Sequence, residues 1–135
     1  PYTAIGVDPE GDAGIDFGAH TVTHAKLAKL PDAQVREEIF DSKRMIEDII
    51  GERVDHFCYP YGSHDRRAMD IAEEAGFETA TSCLRGAATA AFDPMALPRK
   101  AISFGDNLLG YIWKLHMKDE PKHEPLVRHP IGGQA

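Results

Sequence analysis

Apolar and charged positions alternate with helical spacing between residues 31 and 50. The apolar positions are Val35, Ile39, Ile46 and Ile49, and charged side chains separate them. A stripe of this kind predicts one long amphipathic helix. Pro31 suits the first turn of such a helix, and Gly51 is placed to end it.

Shorter apolar runs, bounded by turn-forming residues, predict the strands of a sheet. They cover residues 3–7, 15–19, 54–59, 77–82 and 97–104, and two further helices are predicted at 65–75 and 107–117. Alternating strands and helices of this order favour parallel βα repeats, whose loops gather at one edge of the sheet. Active sites of α/β proteins favour that edge.

Two short motifs combine residues that can carry chemistry. Gly18-Ala19-His20-Thr21-Val22-Thr23-His24 begins in the last residues of a predicted strand, and Tyr59-Pro60-Tyr61-Gly62 begins at the last residue of a later one. Two imidazoles four residues apart can bind one divalent metal, and a Pro-Tyr-Gly turn can direct a backbone N–H group at a reacting carbonyl. Together they predict metal-dependent hydrolysis. Taken singly, the histidines could be an incidental surface pair and the turn only a turn.

Composition is that of a folded domain, and the charge bears on partners. The chain has 135 residues, of which 42% are hydrophobic and 27% charged, and its net charge is −7. One compact domain is the default at this length, and extended disorder is excluded as the main state. The negative charge disfavours nonspecific binding to nucleic acid. We expect a domain over residues 1–118 and a flexible tail over residues 119–135.

The two cysteines, Cys58 and Cys83, are too few to define a disulfide framework. Two buried free thiols are the simplest interpretation, because cysteine is often buried without a partner. No apolar run approaches the length of about 20 residues that a membrane span requires. The start of the chain also lacks the basic and apolar segments of a signal peptide.

The two motifs are similar to motifs of the polysaccharide deacetylases, the NodB-homology carbohydrate esterases. The resemblance continues through Leu30-Pro31-Asp32, Glu74-Ala75-Gly76-Phe77 and Leu97-Pro98-Arg99, so that it covers roughly residues 14–115. It implies an α/β fold, a partial or distorted (β/α) barrel that lacks its amino-terminal part. It also implies a divalent metal, most simply zinc, with His20 and His24 as ligands, although cobalt or nickel would also suit imidazole.

The resemblance implies roles for further residues. The backbone N–H of Tyr61 would stabilise the oxyanion, and Pro60, Gly62 and Leu97 would border the substrate. In the family, the third metal ligand and the catalytic base are aspartates of an early Phe-Asp-Asp type motif, which this chain lacks. The candidate replacements are Asp8, Asp12 and Asp16, and Asp8 is preferred as the base because it ends the strand predicted at residues 3–7.

The general acid is not identified by the resemblance. The family often takes it from a late Leu-x-x-His motif, and none of the late histidines of this chain, His116, His123 and His129, lies in one. His64 follows the Tyr-Pro-Tyr-Gly loop and is a spatially plausible alternative, whereas His56 is expected to be structural. Many relatives also place arginine where this chain has Cys58, and that arginine supports the catalytic aspartate.

The implied activity is hydrolysis of N-acetyl groups from a polysaccharide or amino-sugar oligomer. One alternative is an inactive remnant that binds metal or carbohydrate, for which an open sheet edge would favour association into homo-oligomers. Another is a relative that hydrolyses small cyclic amides. The family is often exported to the cell envelope or secreted, and the sequence leaves the location of this chain open.

Overall fold

A computed structural model describes residues 16–117 and 126–128. Four parallel strands form one sheet in the order β1-β2-β3-β4. The strands are β1 (Gly18–Ala19), β2 (His56–Cys58), β3 (Thr79–Arg85) and β4 (Leu97–Arg99), and the helices are α1 (Asp32–Ile50), α2 (Arg66–Glu74) and α3 (Leu108–Met117). Helix α1 connects β1 to β2, and α2 connects β2 to β3.

This architecture confirms the predicted α/β fold with parallel βα repeats. The described sheet is open and amounts to part of a barrel. The strand predicted at residues 3–7 lies outside the described residues. The strand predicted at residues 97–104 ends at Arg99, and after an irregular stretch the chain turns at residues 104–105. In that turn the Asp106 carboxylate accepts hydrogen bonds from the backbone N–H and the hydroxyl of Ser103.

Helix α1 follows the predicted pattern with one shift near its end. Val35 and Ile39 are fully buried, and Ile46 packs partly against the core. Ile49 was predicted to share that face but is 65% exposed, and Ile50 packs against the core instead. Ile50 lies four residues after Ile46, close to one helical turn, so it stays on the same face. Gly51 ends the helix with a left-handed φ of 73°.

Aromatic side chains fill the centre of the core behind the sheet. Phe57 of β2 lies with its ring centroid 5.2 Å from that of Tyr59 and 5.2 Å from that of Phe77. The Tyr59 hydroxyl donates a hydrogen bond of 2.9 Å to the carbonyl of Met95, which satisfies its buried polar end. Burial raises the pKa of Tyr59. The strand that carries the Tyr-Pro-Tyr-Gly turn is therefore firmly held.

Helix α3 stands apart from this core. It occurs where it was predicted, but none of its residues is buried. Leu108, Leu109, Trp113 and Met117 are each more than half exposed. The apolar side chains of this helix are therefore not part of the described core. In the part of the chain that the structure describes, no helix is both long and apolar enough to span a membrane.

A short carboxyl-terminal piece is fixed to the domain. Leu126 packs against the core, and the Arg128 side chain is only 4% exposed. Arg128 Nε lies 2.9 Å from the Asp93 carboxylate, and Arg128 Nη1 lies 2.8 Å from both Asp70 and Glu73. These contacts involve residues 126–128, which had been assigned to a flexible tail. The domain boundary at residue 118 stays a prediction.

Candidate active site

The sheet register brings the two motifs together. Strands β1 and β2 run parallel with Ala19 opposite Phe57, so the segments that follow them leave the sheet at the same edge. His20 is the first residue after β1, and Cys58 is the last residue of β2. The histidine segment and the Tyr-Pro-Tyr-Gly turn therefore begin side by side, although 38 residues separate His20 from Cys58 along the chain.

A short hydrogen bond orients the His20 ring. Its Nδ1 atom lies 2.6 Å from the carbonyl oxygen of Cys58. A carbonyl oxygen can only accept, so Nδ1 carries the proton and Nε2 of the neutral ring keeps its lone pair. Histidine ligands of metals are commonly fixed in this way by a backbone carbonyl behind the ring. His20 is thus oriented as a ligand would be.

The His24 ring lies between His20 and Tyr61. Its centroid is 4.8 Å from the His20 ring and 4.7 Å from the Tyr61 ring, both in edge-to-face arrangements. Tyr61 is 63% exposed, and Lys26 Nζ lies 4.9 Å from the centroid of its ring. The three rings form one cluster at the edge of the sheet, with a cation at its rim.

The Tyr-Pro-Tyr-Gly segment folds into a tight turn with left-handed residues. Tyr61 has φ 58° and Gly62 has φ 66°. The hydrogen bonds of the turn run from Gly62 N–H to Tyr59 O and from Ser63 N–H to Pro60 O, at 2.9 Å each. Neither bond uses the N–H group of Tyr61, so the turn itself does not consume this donor. A donor that its own turn leaves unused meets one requirement of an oxyanion donor.

Gly62 is required at its position by a close contact as well as by its left-handed φ. A Cβ atom there would lie 2.7 Å from Cys83 Cβ and 2.8 Å from Cys83 N. Only glycine allows the turn to approach β3 so closely. The position of the Tyr61 N–H is therefore set by contact between the turn and a strand of the sheet.

Arg99 of β4 binds both cysteines beside this turn. Its Nη2 atom lies 3.1 Å from Cys83 Sγ, and Nη1 lies 3.5 Å from Cys58 Sγ. The hydrogen bond with Cys83 raises the pKa of Arg99, against the effect of partial burial. Both cysteines are free thiols, and Cys83 is exposed, contrary to the prediction that both are buried.

The two histidines fit two positions of a metal shell. Their rings are adjacent, and His20 keeps the Nε2 lone pair for a metal. Imidazole is a common zinc ligand. Within residues 16–117 and 126–128, no group of three His, Cys, Asp or Glu side chains is arranged to hold a metal. The Thr21 hydroxyl next to His20 is buried and has no hydrogen-bond partner in the described structure.

The family can be assigned on comparison with known proteins. Residues 6–80 match the family model described as Polysaccharide deacetylase, and this range is more than half of the chain. The chain belongs to the polysaccharide deacetylase family. The matched range includes both motifs, so the resemblance found in the sequence is confirmed.

Individual relatives agree with this assignment. YxkH of Bacillus subtilis (strain 168), whose name places it among the polysaccharide deacetylases, is 28% identical over 92 residues, which are 68% of this chain and 33% of YxkH. The Streptococcus pyogenes deacetylase PplD, solved in complex with acetate, superposes with a TM-score of 0.70 at 22% identity, over 73% of this chain and 43% of PplD. A polysaccharide deacetylase from Bacillus cereus gives a TM-score of 0.66 at 24% identity, over 73% of this chain and 31% of that protein.

The structural likeness confirms the NodB-type fold. The chain spans about a third of the length of the curated relative and less than half of the solved structures. The described sheet of four strands is accordingly a fragment of the full deacetylase barrel.

The structure says less about the roles of the other predicted site residues. Leu97 is half-buried at the start of β4, opposite Thr81, and its contact with substrate stays a prediction. Pro60 is buried in the turn. Asp8 and Asp12 lie outside the described residues, and Asp16 is exposed where they begin. The roles assigned to these aspartates therefore also stay predictions.

The histidines considered as acids are separated by the fold. His64 follows the turn, where its Nδ1 atom lies 2.8 Å from the carbonyl of Gly62 and its ring stacks on Tyr59. His56 lies at the start of β2 with Nδ1 2.9 Å from the Thr79 hydroxyl, and His116 is exposed on α3. His123 and His129 lie outside the described residues. Of the described candidates, His64 is the one adjacent to the turn.

Three neighbours of the site were not assigned a role from sequence. Glu38 of α1 binds the histidine segment, Arg99 binds the cysteines, and Lys26 lies over Tyr61. Glu38 and Lys26 resemble ordinary surface charges in the sequence, and Arg99 could be noticed only as the last residue of Leu97-Pro98-Arg99. Their positions depend on how α1 and β4 pack against the loops, which spacing along the chain does not reveal.

Proposed function

We propose that this chain carries the metal-binding and oxyanion-stabilising part of a hydrolase that removes N-acetyl groups from a polysaccharide or amino-sugar oligomer. The observation that carries the proposal is the convergence of His20, His24 and the Tyr61 turn at one edge of the sheet. Membership in the polysaccharide deacetylases supports it. Because the chain spans about a third of its curated relative, the activity of the whole protein is part of the proposal.

His20 and His24 would hold the metal, most simply zinc. When bound, such an ion polarises the amide carbonyl and makes water nucleophilic near neutral pH. The Cys58 carbonyl keeps the His20 proton on Nδ1, so Nε2 would be the atom that binds the ion. Asp8, Asp12 and Asp16 remain the candidates for the third ligand and the base, and Asp8 is the preferred base.

The Tyr61 N–H group would donate to the oxygen that gains negative charge as the acetamide carbonyl is attacked. A backbone donor held in place before the reaction needs no reorganisation, and such donors contribute about 3–4 kcal/mol where they have been removed from other enzymes. The close packing of Gly62 on Cys83 supplies that rigidity. The exposed Tyr61 ring beside it is suited to stacking against a sugar.

A second candidate function is binding without catalysis. It is favoured by one observation: the described residues contain no group of three metal ligands. A remnant of this kind would bind metal or carbohydrate through His20, His24 and the Tyr61 ring and release no acetate. Hydrolysis of small cyclic amides is a further alternative within the same chemistry.

Acetate release distinguishes these candidates. The purified chain is incubated with an N-acetylglucosamine oligomer and, in parallel, with small cyclic amides, with and without added zinc. We expect zinc-dependent acetate release from the oligomer and no opening of the cyclic amides. Zinc binding without acetate release would favour the binding module. Opening of the cyclic amides alone would favour a hydrolase of small cyclic amides.

A further inference from the structure

The histidine segment has a backbone that needs support from outside itself. Thr21 has φ 63° and His24 has φ 61°, so two non-glycine residues of this segment are in the left-handed region. Each such residue costs about 1–2 kcal/mol relative to the right-handed conformation. A segment that contains two of them persists only when surrounding contacts determine its shape.

The Glu38 carboxylate supplies such contacts from helix α1. Its Oε2 atom accepts hydrogen bonds from the backbone N–H groups of Val22 at 2.8 Å and Thr23 at 2.9 Å. Its Oε1 atom accepts a further bond from the Thr23 hydroxyl. Both residues lie between the two left-handed positions, so one carboxylate holds the middle of the segment that presents the two histidines.

The charge of Glu38 is directed at this segment. Among the described residues, the ion pairs of α1 use Arg36, Lys43, Arg44, Asp41, Asp32 and Glu47 and leave Glu38 out. Glu37, its neighbour on the same helix, is exposed, whereas Glu38 is half-buried. Hydrogen bonds from backbone N–H groups to an ionised carboxylate are stronger than those between neutral groups.

We propose that Glu38 is a positioning residue of the active site, which fixes the backbone between His20 and His24 and so sets the separation and orientation of their rings. The part of this inference that concerns metal affinity rests on the proposed function. The part that concerns the backbone does not, because it can be measured in the chain without metal. Outer contacts that orient metal ligands typically contribute 10–100-fold in affinity.

Backbone exchange tests the first part. Amide hydrogen exchange is measured by NMR at one fixed pH on the unmodified chain, Glu38→Ala, Glu38→Gln and the control Glu37→Ala. In Glu38→Ala we expect the Val22 and Thr23 amides to exchange at least about tenfold faster, while the core amides of Phe57 and Ala80 keep their rates. Glu38→Gln keeps one carbonyl oxygen and should give an intermediate change. Unaltered exchange at Val22 and Thr23 would overturn the proposal.

Zinc affinity tests the second part. We expect Glu38→Ala to bind zinc about 10–100-fold more weakly than the unmodified chain, Glu38→Gln to recover part of the loss, and Glu37→Ala to bind normally. Equal zinc affinity in Glu38→Ala and the unmodified chain, with both folded by circular dichroism, would overturn it. Faster exchange of Val22 and Thr23 in a chain whose unmodified form binds no zinc would instead retain the positioning role and refute the proposed function.

Discussion

The His20 ring and the Cys58 carbonyl connect the two motifs of the site through one hydrogen bond of 2.6 Å. His20 begins the part of the segment that carries both histidines, and Cys58 immediately precedes the Tyr-Pro-Tyr-Gly turn. The bond therefore couples the orientation of a candidate metal ligand to the strand that presents the candidate oxyanion donor. Because the acceptor is a backbone atom, the identity of the side chain at position 58 does not alter it.

The first prediction concerns Gly62. We expect Gly62→Ala to lower the free energy of unfolding by about 1–2 kcal/mol for the left-handed backbone and a further 1–3 kcal/mol for the clash with Cys83. Gly51→Ala is the matched control, because Gly51 has φ 73° and a Cβ there would meet nothing within 4 Å. Urea denaturation of both variants measures the difference. Equal losses would show that the turn does not rest on β3.

A second prediction concerns the buried hydroxyl before the turn. Tyr59→Phe removes the donor that satisfies the Met95 carbonyl, so we expect a loss of about 1–3 kcal/mol in the free energy of unfolding. Tyr111→Phe, on the exposed helix α3, should change it by less than about 0.5 kcal/mol. Thermal denaturation of the two variants checks this. A Tyr59→Phe variant as stable as the Tyr111→Phe control would refute it.

Much of the fold could be predicted because its signals are local. The stripe on α1 and the glycine at the end of α1 both act within a few residues, and each was found in the sequence. The pairing of the two motifs also followed, because parallel strands deliver their loops to one edge. The exposure of Ile49 and Trp113 could not be predicted, since it depends on which neighbouring elements cover each helix.

The candidate site, like the fold, could be predicted from the sequence only in part. His20, His24 and Tyr61 stood out because their chemistry is concentrated in two short motifs. Glu38 did not, because a carboxylate on a helix resembles any solvated charge until the helix packs against a loop. Arg99 approaches the cysteines from a strand that is 41 residues beyond Cys58 along the chain. Residues that support a site from distant elements leave no periodic signal.

The third prediction concerns the ion pair that fixes residues 126–128. Burial of the Asp93 carboxyl raises its pKa, but hydrogen bonds from Arg128 and from the Met95 backbone lower it more, so the pKa lies below its ordinary value. A carboxyl group with a lowered pKa in the folded state stabilises the fold at pH values above its unfolded-state pKa of about 3.9. That stability is lost as the pH falls through the folded-state pKa.

We therefore expect Arg128→Met to lower the free energy of unfolding at pH 7 by about 3–5 kcal/mol, because it leaves a buried carboxylate unpaired. The difference from the unmodified chain should shrink below about pH 4, as Asp93 becomes protonated. Arg53→Met is the control: the Arg53 side chain is 61% exposed, and its loss should cost less than about 1 kcal/mol. A difference that stays constant between pH 3 and pH 7 would contradict the assignment.

The central claim is that His20 and His24 hold one metal ion, and zinc stoichiometry tests it most directly. Metal-free protein is titrated with zinc for the unmodified chain, His20→Ala, His24→Ala and the control His56→Ala, whose ring lies against Thr79 at the start of β2. The account predicts one tightly bound zinc in the unmodified chain and in His56→Ala, and none in either of the other two variants. Unchanged stoichiometry in His20→Ala and His24→Ala would contradict it.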